Sequence, residues 1–514
     1  MAQTRTQLVA VNTLSNYFRF AVLFVVFFAL TPVLVRRLGT EAYGLWSLLN
    51  SVLGLFGLLD LGFGTATYKY VAHSLGAHDN TQLNRVVNTM LVVYGGLALF
   101  STIILGILAL FFNHLFTIPT QYAALTLPVL WILALRMVIL AMPLSLFRHI
   151  MYGRQQILLI NLAQIISTVL YAIVTWYALE HGAGLLVVAW ISLGSMLLEY
   201  AMYAGVVLAS RSVQFAPKFF DRSFLREASG MSLYMFLANI AGLVLMRSDP
   251  IIIKMFLPLT AVTVYSVAQR IGENVFMIVK QFVNVLSPLV AQLHSSGDET
   301  KIRFILINAS RFALTPASII LVGVLAFGNQ AIVLWLGPTM RDSGPLLQIL
   351  CIAMWLLTPQ LTASMILTMT GEHRVTGLAS MASMIVNLTA SIILIPLVGL
   401  TGSALGTLIA IVLIDVCYLI PYACKRHQVP MTTYLWRVVP AVIVPGILDL
   451  AVSFGMVRIL PASSFARIAL DMLPGMLLYL VIYWYFFVEP SEKELFRNKL
   501  FRRNMLQPEP ASTG

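Results

Sequence analysis

The amino-acid sequence predicts an all-α polytopic membrane protein of about 14 transmembrane helices: two six-helix bundles in pseudo-twofold repeat, followed by two more helices. Three observations predict it. Hydrophobic residues make up 59% of the 514 and charged residues 10%, with mean hydropathy +0.89; soluble domains carry about a quarter charged residues. Apolar runs long enough to cross the hydrocarbon core, which takes about 20 residues, recur along the whole chain. The polar junctions between those runs repeat at a nearly constant spacing.

Taken in order, the predicted spans are 14–35, 43–68, 86–112, 122–147, 157–179 and 185–209, then 231–256, 262–289, 305–336, 346–369, 375–398 and 402–423, and finally 435–457 and 465–488. The first is too long for a signal-peptide core and lacks a small-x-small cleavage site, so it reads as an uncleaved spanning helix. Connections are short apart from 210–230 and the tail after 489, which leaves no room for a soluble catalytic head. The net charge of +12 is spread between apolar runs. That dispersal fits topology and anionic lipid or substrate better than nucleic acid, and no nucleic-acid motif accompanies it.

Lysine and arginine fall mainly on one side of the expected topology. Arg5, Lys69, Arg85, Arg148, Arg154, the 211–226 cluster, Lys301, Arg303, Arg374, Lys425, Arg426 and the tail residues Lys493, Arg497, Lys499, Arg502 and Arg503 lie there; Arg36, Arg37, Arg341, Arg458 and Arg467 lie opposite. By the positive-inside rule both termini are expected in the cytoplasm. The three cysteines, Cys351, Cys417 and Cys424, and the eight histidines have no metal-ligand or redox spacing. No GxxxxGK loop or nucleophile elbow is present, so neither ATP hydrolysis nor acyl-transfer chemistry is expected.

The internal repeat is seen at three junctions. VAHSLGAHDNTQL at 71–83 aligns with VAQLHSSGDETKI at 290–302, pairing Asp79 with Asp298 and Thr81 with Thr300. MYGRQQ at 151–156 aligns with MTGEHR at 369–374 through Gly153 and Gly371, and Gly184 with Gly402. The shift spans an even number of helices, so the copies share orientation, as in transporters built from parallel repeats. The division expected is 1–217 for the first bundle, 218–424 for the second and 425–514 for the added helices and tail. A cavity between the bundles is the natural substrate path. The pair Gly402 and Gly406 reads as a close helix-packing face.

Ionisable residues at membrane depth are costly unless they face a partner or a water-filled cavity. The set is Arg19, Asp60, Arg136, Glu199, Arg247, Asp249, Arg270, Glu273, Lys280, Arg311 and Asp415. Basic members outnumber acidic ones, which gives a cationic cavity if they face inward, and a guanidinium's planar fork suits phosphate. Arg19 and Arg270 are therefore the leading substrate ligands, expected one and two helical turns inside their spans, with Arg136 and Lys280 behind them. The competing readings are snorkelling, or internal pairs such as Arg247 with Asp249 and Arg270 with Glu273. Asp60, in LLDLGFG at 58–64, is a candidate for coupling to a proton or sodium ion, against capping of the next helical segment or pairing with Lys69. Asp249 and Glu273 are gating or coupling candidates, although Asp249-Pro250 predicts a helix interruption.

With those residues in view, the sequence resembles the polysaccharide or O-unit flippases of the multidrug/oligosaccharidyl-lipid/polysaccharide exporter superfamily. The likeness is carried by LGTEAYGLWSLLNS at 38–51, LLDLGFG, MYGRQQ and DPIIIKMFLPLTAVTVYSVAQRIGE at 249–273. It implies a V-shaped, two-lobed bundle that moves an undecaprenyl-diphosphate-linked oligosaccharide across a bacterial inner membrane by alternating access. It implies no catalysis and no cofactor beyond a coupling H+ or Na+. The implied partners are membrane lipids, the lipid-linked glycan, and a polysaccharide polymerase and chain-length regulator. A cation-coupled multidrug exporter is the rival within the superfamily. A membrane-embedded polymerase or ligase is the rival outside it, and it would carry a large loop that this chain lacks.

Overall fold

A computed structural model describes residues 5–211, 213–459, 464–490 and 492–494, and the side chains of these apart from 5–10 and 227–239. The Arg5 side chain and the tail residues Arg497, Lys499, Arg502 and Arg503, which bear on the expected orientation, lie outside the described residues.

The first lobe comprises α1 (Arg5–Leu38), α2 (Thr40–Leu55), α3 (Phe63–Gly76), α4 (Asn80–Leu115), α5 (Thr120–Ala134), α6 (Ala141–Gly153), α7 (Ile157–Glu180) and α8 (Leu185–Ala209). The second comprises α9 (Arg222–Phe256), α10 (Leu259–Asn284), α11 (Ser287–Ser295), α12 (Glu299–Leu336), α13 (Ser343–Met369), α14 (His373–Val398), α15 (Thr401–Ala410) and α16 (Ile420–Arg426). The last pair, α17 (Met431–Ile459) and α18 (Phe465–Ile482), packs on α12. Turns of π-helix at Leu135–Ile139 and Ile411–Leu419 join α5 to α6 and α15 to α16. Large apolar side chains such as Leu99, Ile103 and Leu110 point outward from α4, a surface suited to lipid tails and not to water.

Thirteen helices among the described residues are long and apolar enough to cross a membrane. The expected 14 exceeds this by one, and the difference falls on α9, whose side chains are only partly described. The predicted second span is two helices: α2 ends at Leu55, a 3-10 turn runs over Phe56–Asp60, and Leu61 and Gly62 are left-handed before α3 begins. Arg19 and Arg270 lie about four and three turns from the starts of α1 and α10, because both helices begin before the predicted spans.

The predicted interruption at Pro250 is absent, and α9 continues to Phe256. Proline removes the N–H that would bond the carbonyl four residues back, which is that of Met246. Gln269 on α10 supplies the missing donor, its Nε2 lying 3.3 Å from Met246 O, so the helix survives. The chain turns instead at Leu257 and Pro258, where Lys254 Nζ lies 3.5 Å from the Leu257 carbonyl.

At the junctions, α2 and α10 start 219 residues apart, as do α4 and α12. Asp79 and Asp298, the aspartates aligned at that spacing, cap these later helices by accepting from Gln82 N and Lys301 N at 2.8 and 3.1 Å. The glycines aligned at 153 and 371 differ in role. A side chain at Gly153 would sit 2.5 Å from Val71 Cγ1, whereas Gly371 is left-handed in open space. Gly402 and Gly406 bring α15 against the α14 backbone, with Leu394 C and Ser391 N at 2.5 and 2.9 Å from an added Cβ.

The connection between lobes is held by one face of α4. Asn84 Oδ1 accepts from Gln214 N, Asn88 brackets the same stretch through Gln214 O and Ala216 N, and Thr89 accepts from Asp221 N, all at 2.7 to 3.0 Å. Asp221 then caps α9. Hydrogen bonds from the Ser223 hydroxyl and the Phe224 and Ser223 amides hold its carboxyl below the usual carboxylate range.

The lobes meet where α2 and α10 begin. Thr263 donates to the Thr40 carbonyl, and Arg36 Nη2 donates to the Trp335 carbonyl at 3.0 Å, while the Trp335 ring stacks on Phe28 at 4.7 Å. Gly44 permits this approach, because a Cβ there would collide with the Leu259 carbonyl. Gly44→Val is therefore expected to part α2 from α10. A cysteine introduced at Ser47, inside the junction, should then react with an impermeant maleimide from the Arg36 side; unchanged labelling would show that this contact does not seal that end.

Candidate substrate cavity

A cavity of about 440 Å³ lies between the lobes, bounded by α1, α2 and α7 on one side and α9 and α10 on the other. Its basic lining consists of Arg136, Arg247 and Arg270, with Glu273 as its acid. Each arginine is delivered differently. Arg136 lies in the π-helical turn after α5, and its Nη1 is 3.5 Å from Asn50 Oδ1 on α2. The Asn50 amide is in turn fixed by donating to Trp46 O at 2.8 Å. Arg270 donates to Glu273 at 3.3 Å, the i,i+3 pair read from the sequence, yet half of its side chain is exposed. Arg247 lies along Gly54, whose missing side chain leaves room for its Cδ at 3.0 Å.

The reading of Arg247 with Asp249 as a pair is corrected. Residues two apart on a helix point roughly 200° away from each other. Arg247 lines the central cavity, while Asp249 turns into the second lobe, where Tyr265 and Ser403 hydroxyls donate to its two oxygens at 2.8 Å each. The sequence listed Arg247 among the ionisable residues at membrane depth without making it a ligand; its place on a helix face opposite Asp249 was the signal for where it points.

Arg19 does not line this cavity; its neighbour Phe20 does. Arg19 Nη1 donates to Gln164 Oε1 at 3.0 Å, and Gln164 leads to Glu199, which also accepts from Tyr203 at 2.8 Å and Ser167 at 3.3 Å. Lys280, Asp249 and Glu273 line a second cavity of about 290 Å³ inside the second lobe, together with Asp415. Asp415 accepts from Ser383 Oγ at 3.2 Å; the sequence placed it at membrane depth without assigning it a role. Asp60 accepts from the Gly64 amide at 3.2 Å, so it caps the segment that follows. Arg311 faces neither cavity and is paired with Glu492.

Two lobes joined around a basic, membrane-depth cavity define a multi-pass membrane protein with the fold of flippases and multidrug transporters. It superposes on a lipid II flippase, MurJ, in an inward closed conformation with a TM-score of 0.71 and 14% identity, covering 95% of this chain and 99% of that one. An inward-facing multidrug resistance MATE family transporter of the MOP superfamily gives 0.69 and 17%, covering 79% and 94%. In sequence, the chain is 23% identical over 338 residues to a probable low-salt glycan biosynthesis flippase, Agl15, of Haloferax volcanii, covering 63% of this chain and 67% of that protein. The family model described as polysaccharide biosynthesis protein matches residues 6–294, more than half of the chain. The chain belongs to that family.

Proposed function

We propose that the protein is a flippase and not an enzyme: it moves an undecaprenyl-diphosphate-linked oligosaccharide across the bacterial inner membrane for O-antigen or exopolysaccharide synthesis. The observation that carries this reading is the central cavity, where three arginines face one glutamate between the two lobes. Such a lining holds a diphosphate and repels cationic drugs, because desolvated guanidinium groups attract phosphate strongly. The lipid tail stays in the bilayer while the lobes rock. Both termini face the cytoplasm, and the units 1–217, 218–424 and 425–514 act as first bundle, second bundle and added helices. A polysaccharide polymerase and chain-length regulator take the product. Similarity to a glycan biosynthesis flippase and a lipid II flippase supports the substrate class.

Deleting the gene should cause lipid-linked glycan to accumulate on the cytoplasmic leaflet with loss of surface glycan. Unchanged surface glycan with new drug sensitivity would favour the multidrug exporter. One observation speaks for that alternative: the second cavity, where Asp249, Glu273 and Asp415 outnumber Lys280. We assign those carboxylates to a coupling proton or sodium ion. Asp249→Asn should abolish the stimulation of transport by an imposed ion gradient in proteoliposomes and leave downhill exchange intact; stimulation that persists would remove Asp249 from coupling.

A further inference from the structure

The LLDLGFG break creates a second opening that the diphosphate site does not use. Where the helix unwinds after α2, a groove of about 670 Å³ forms against the first half of α1 and the end of α6, within the size range of ligand sites. Gly64 lets α6 approach this break closely: a Cβ there would lie 2.9 Å from the His149 ring, which stacks on Tyr94, and 3.3 Å from Asp60 Oδ2.

The groove's chemistry is the opposite of the central cavity's. None of the described residues lining it is lysine or arginine, and Asp60 contributes a carboxylate, so it does not suit phosphate. Asn12, Asn16 and His149 offer neutral donors and acceptors, and Tyr68 and Tyr152 turn rings into it that are 42% and 41% exposed. Acyl chains have no use for so many polar groups. A neutral polyhydroxylated ring satisfies all of them, since each hydroxyl both donates and accepts, and its C–H face lies against an aromatic ring.

The placement fits one substrate lying across both sites. Asn12, Thr13 and Asn16 of α1 line the groove, and Phe20 to Leu34 of the same helix line the central cavity. Asn50 beside Arg136 and Asp60 in the groove are ten residues apart, half of them in α2 and half in the 3-10 turn, about 17 Å of axial rise.

We propose that this groove binds the oligosaccharide of the lipid-linked substrate while the arginines hold its diphosphate, an inference that rests on the flippase reading. The test uses the full chain in nanodiscs titrated with two probes: undecaprenyl diphosphate, and the same lipid diphosphate carrying a linear tetraglucoside. Ring stacking and hydroxyl contacts are common to hexopyranoses, so the tetraglucoside reports on the groove whatever the native glycan is.

The wild type should bind the sugar-bearing probe about tenfold more tightly, as two stacked rings would give. Tyr68→Ala with Tyr152→Ala should remove that increment and leave the bare lipid's affinity unchanged, and the corresponding double Phe variant should keep it. Should the alanine variant misfold, Thr13→Trp, which fills the groove from its exposed side, should give the same loss. An increment that survives these variants, or its absence in a wild type that binds the bare lipid, overturns the groove and leaves the flippase reading standing. If the wild type binds neither probe, both fall.

Discussion

Replacing Arg136 or Arg270 by alanine is expected to lower transport of the lipid-linked glycan by one to two orders of magnitude, about the loss of one charge-assisted contact to phosphate. The two positions separate substrate binding from folding. The Arg270 side chain is half-exposed in its pair with Glu273, and pairs with one member in solvent contribute little to stability, so Arg270→Ala should express and unfold like the wild type. Among the described residues Arg136 makes one long hydrogen bond, to Asn50 at 3.5 Å, which leaves donors of its fork for a ligand. Lysine at either site should retain part of the positive potential but lose the bidentate geometry. Reconstituted transport with a labelled lipid diphosphate measures this. A fully active alanine variant of normal abundance would take that arginine out of the substrate path.

Arg311→Met should destabilise the protein by about 3–5 kcal/mol, the cost of leaving one partner of a buried ion pair without the other. Arg311 and Glu492 side chains are each 5% exposed. Both carboxylate oxygens of Glu492 accept from Nη2, with 2.6 Å to Oε2, and Nη1 donates to the Phe487 carbonyl at 2.8 Å. Glu492 also accepts from the Glu489 amide at 2.9 Å, so the pair fastens the segment after α18 onto α12. Replacing both members by methionine should recover most of the loss, because the desolvation cost disappears with the charges. Thermal unfolding in detergent of the two single variants and the double measures the coupling. A single variant as stable as the wild type would show that the segment is held by its apolar contacts alone.

Much of the architecture was readable in the residues because the bilayer leaves few choices. Any segment crossing hydrocarbon must be helical and apolar for about 20 residues, so composition and run length alone identify the spans. Spacing along one helix is equally local: it foretold the Arg270–Glu273 pair and the close packing at Gly402 and Gly406. The Asp60 cap was among the alternatives for the same reason.

The misreadings share a cause. Pro250 looked like a break because the residue that rescues the Met246 carbonyl, Gln269, comes from the next helix. The hydrogen bond of Arg19 was not legible because Gln164, its partner, lies 145 residues away. The partner of Arg311 was out of reach of the sequence for the same reason, since Glu492 lies 181 residues on.

The sequence by itself determined a polytopic helical protein with arginines placed inside its apolar runs, since hydropathy and helical period act over a few turns. Which arginines face each other was decided only by tertiary structure. A guanidinium at membrane depth goes wherever a partner or water can offset its desolvation, and helices far apart in the chain set that place. Arg136, Arg247 and Arg270 were left to the central cavity, while Arg19 and Arg311 were drawn into the lobes.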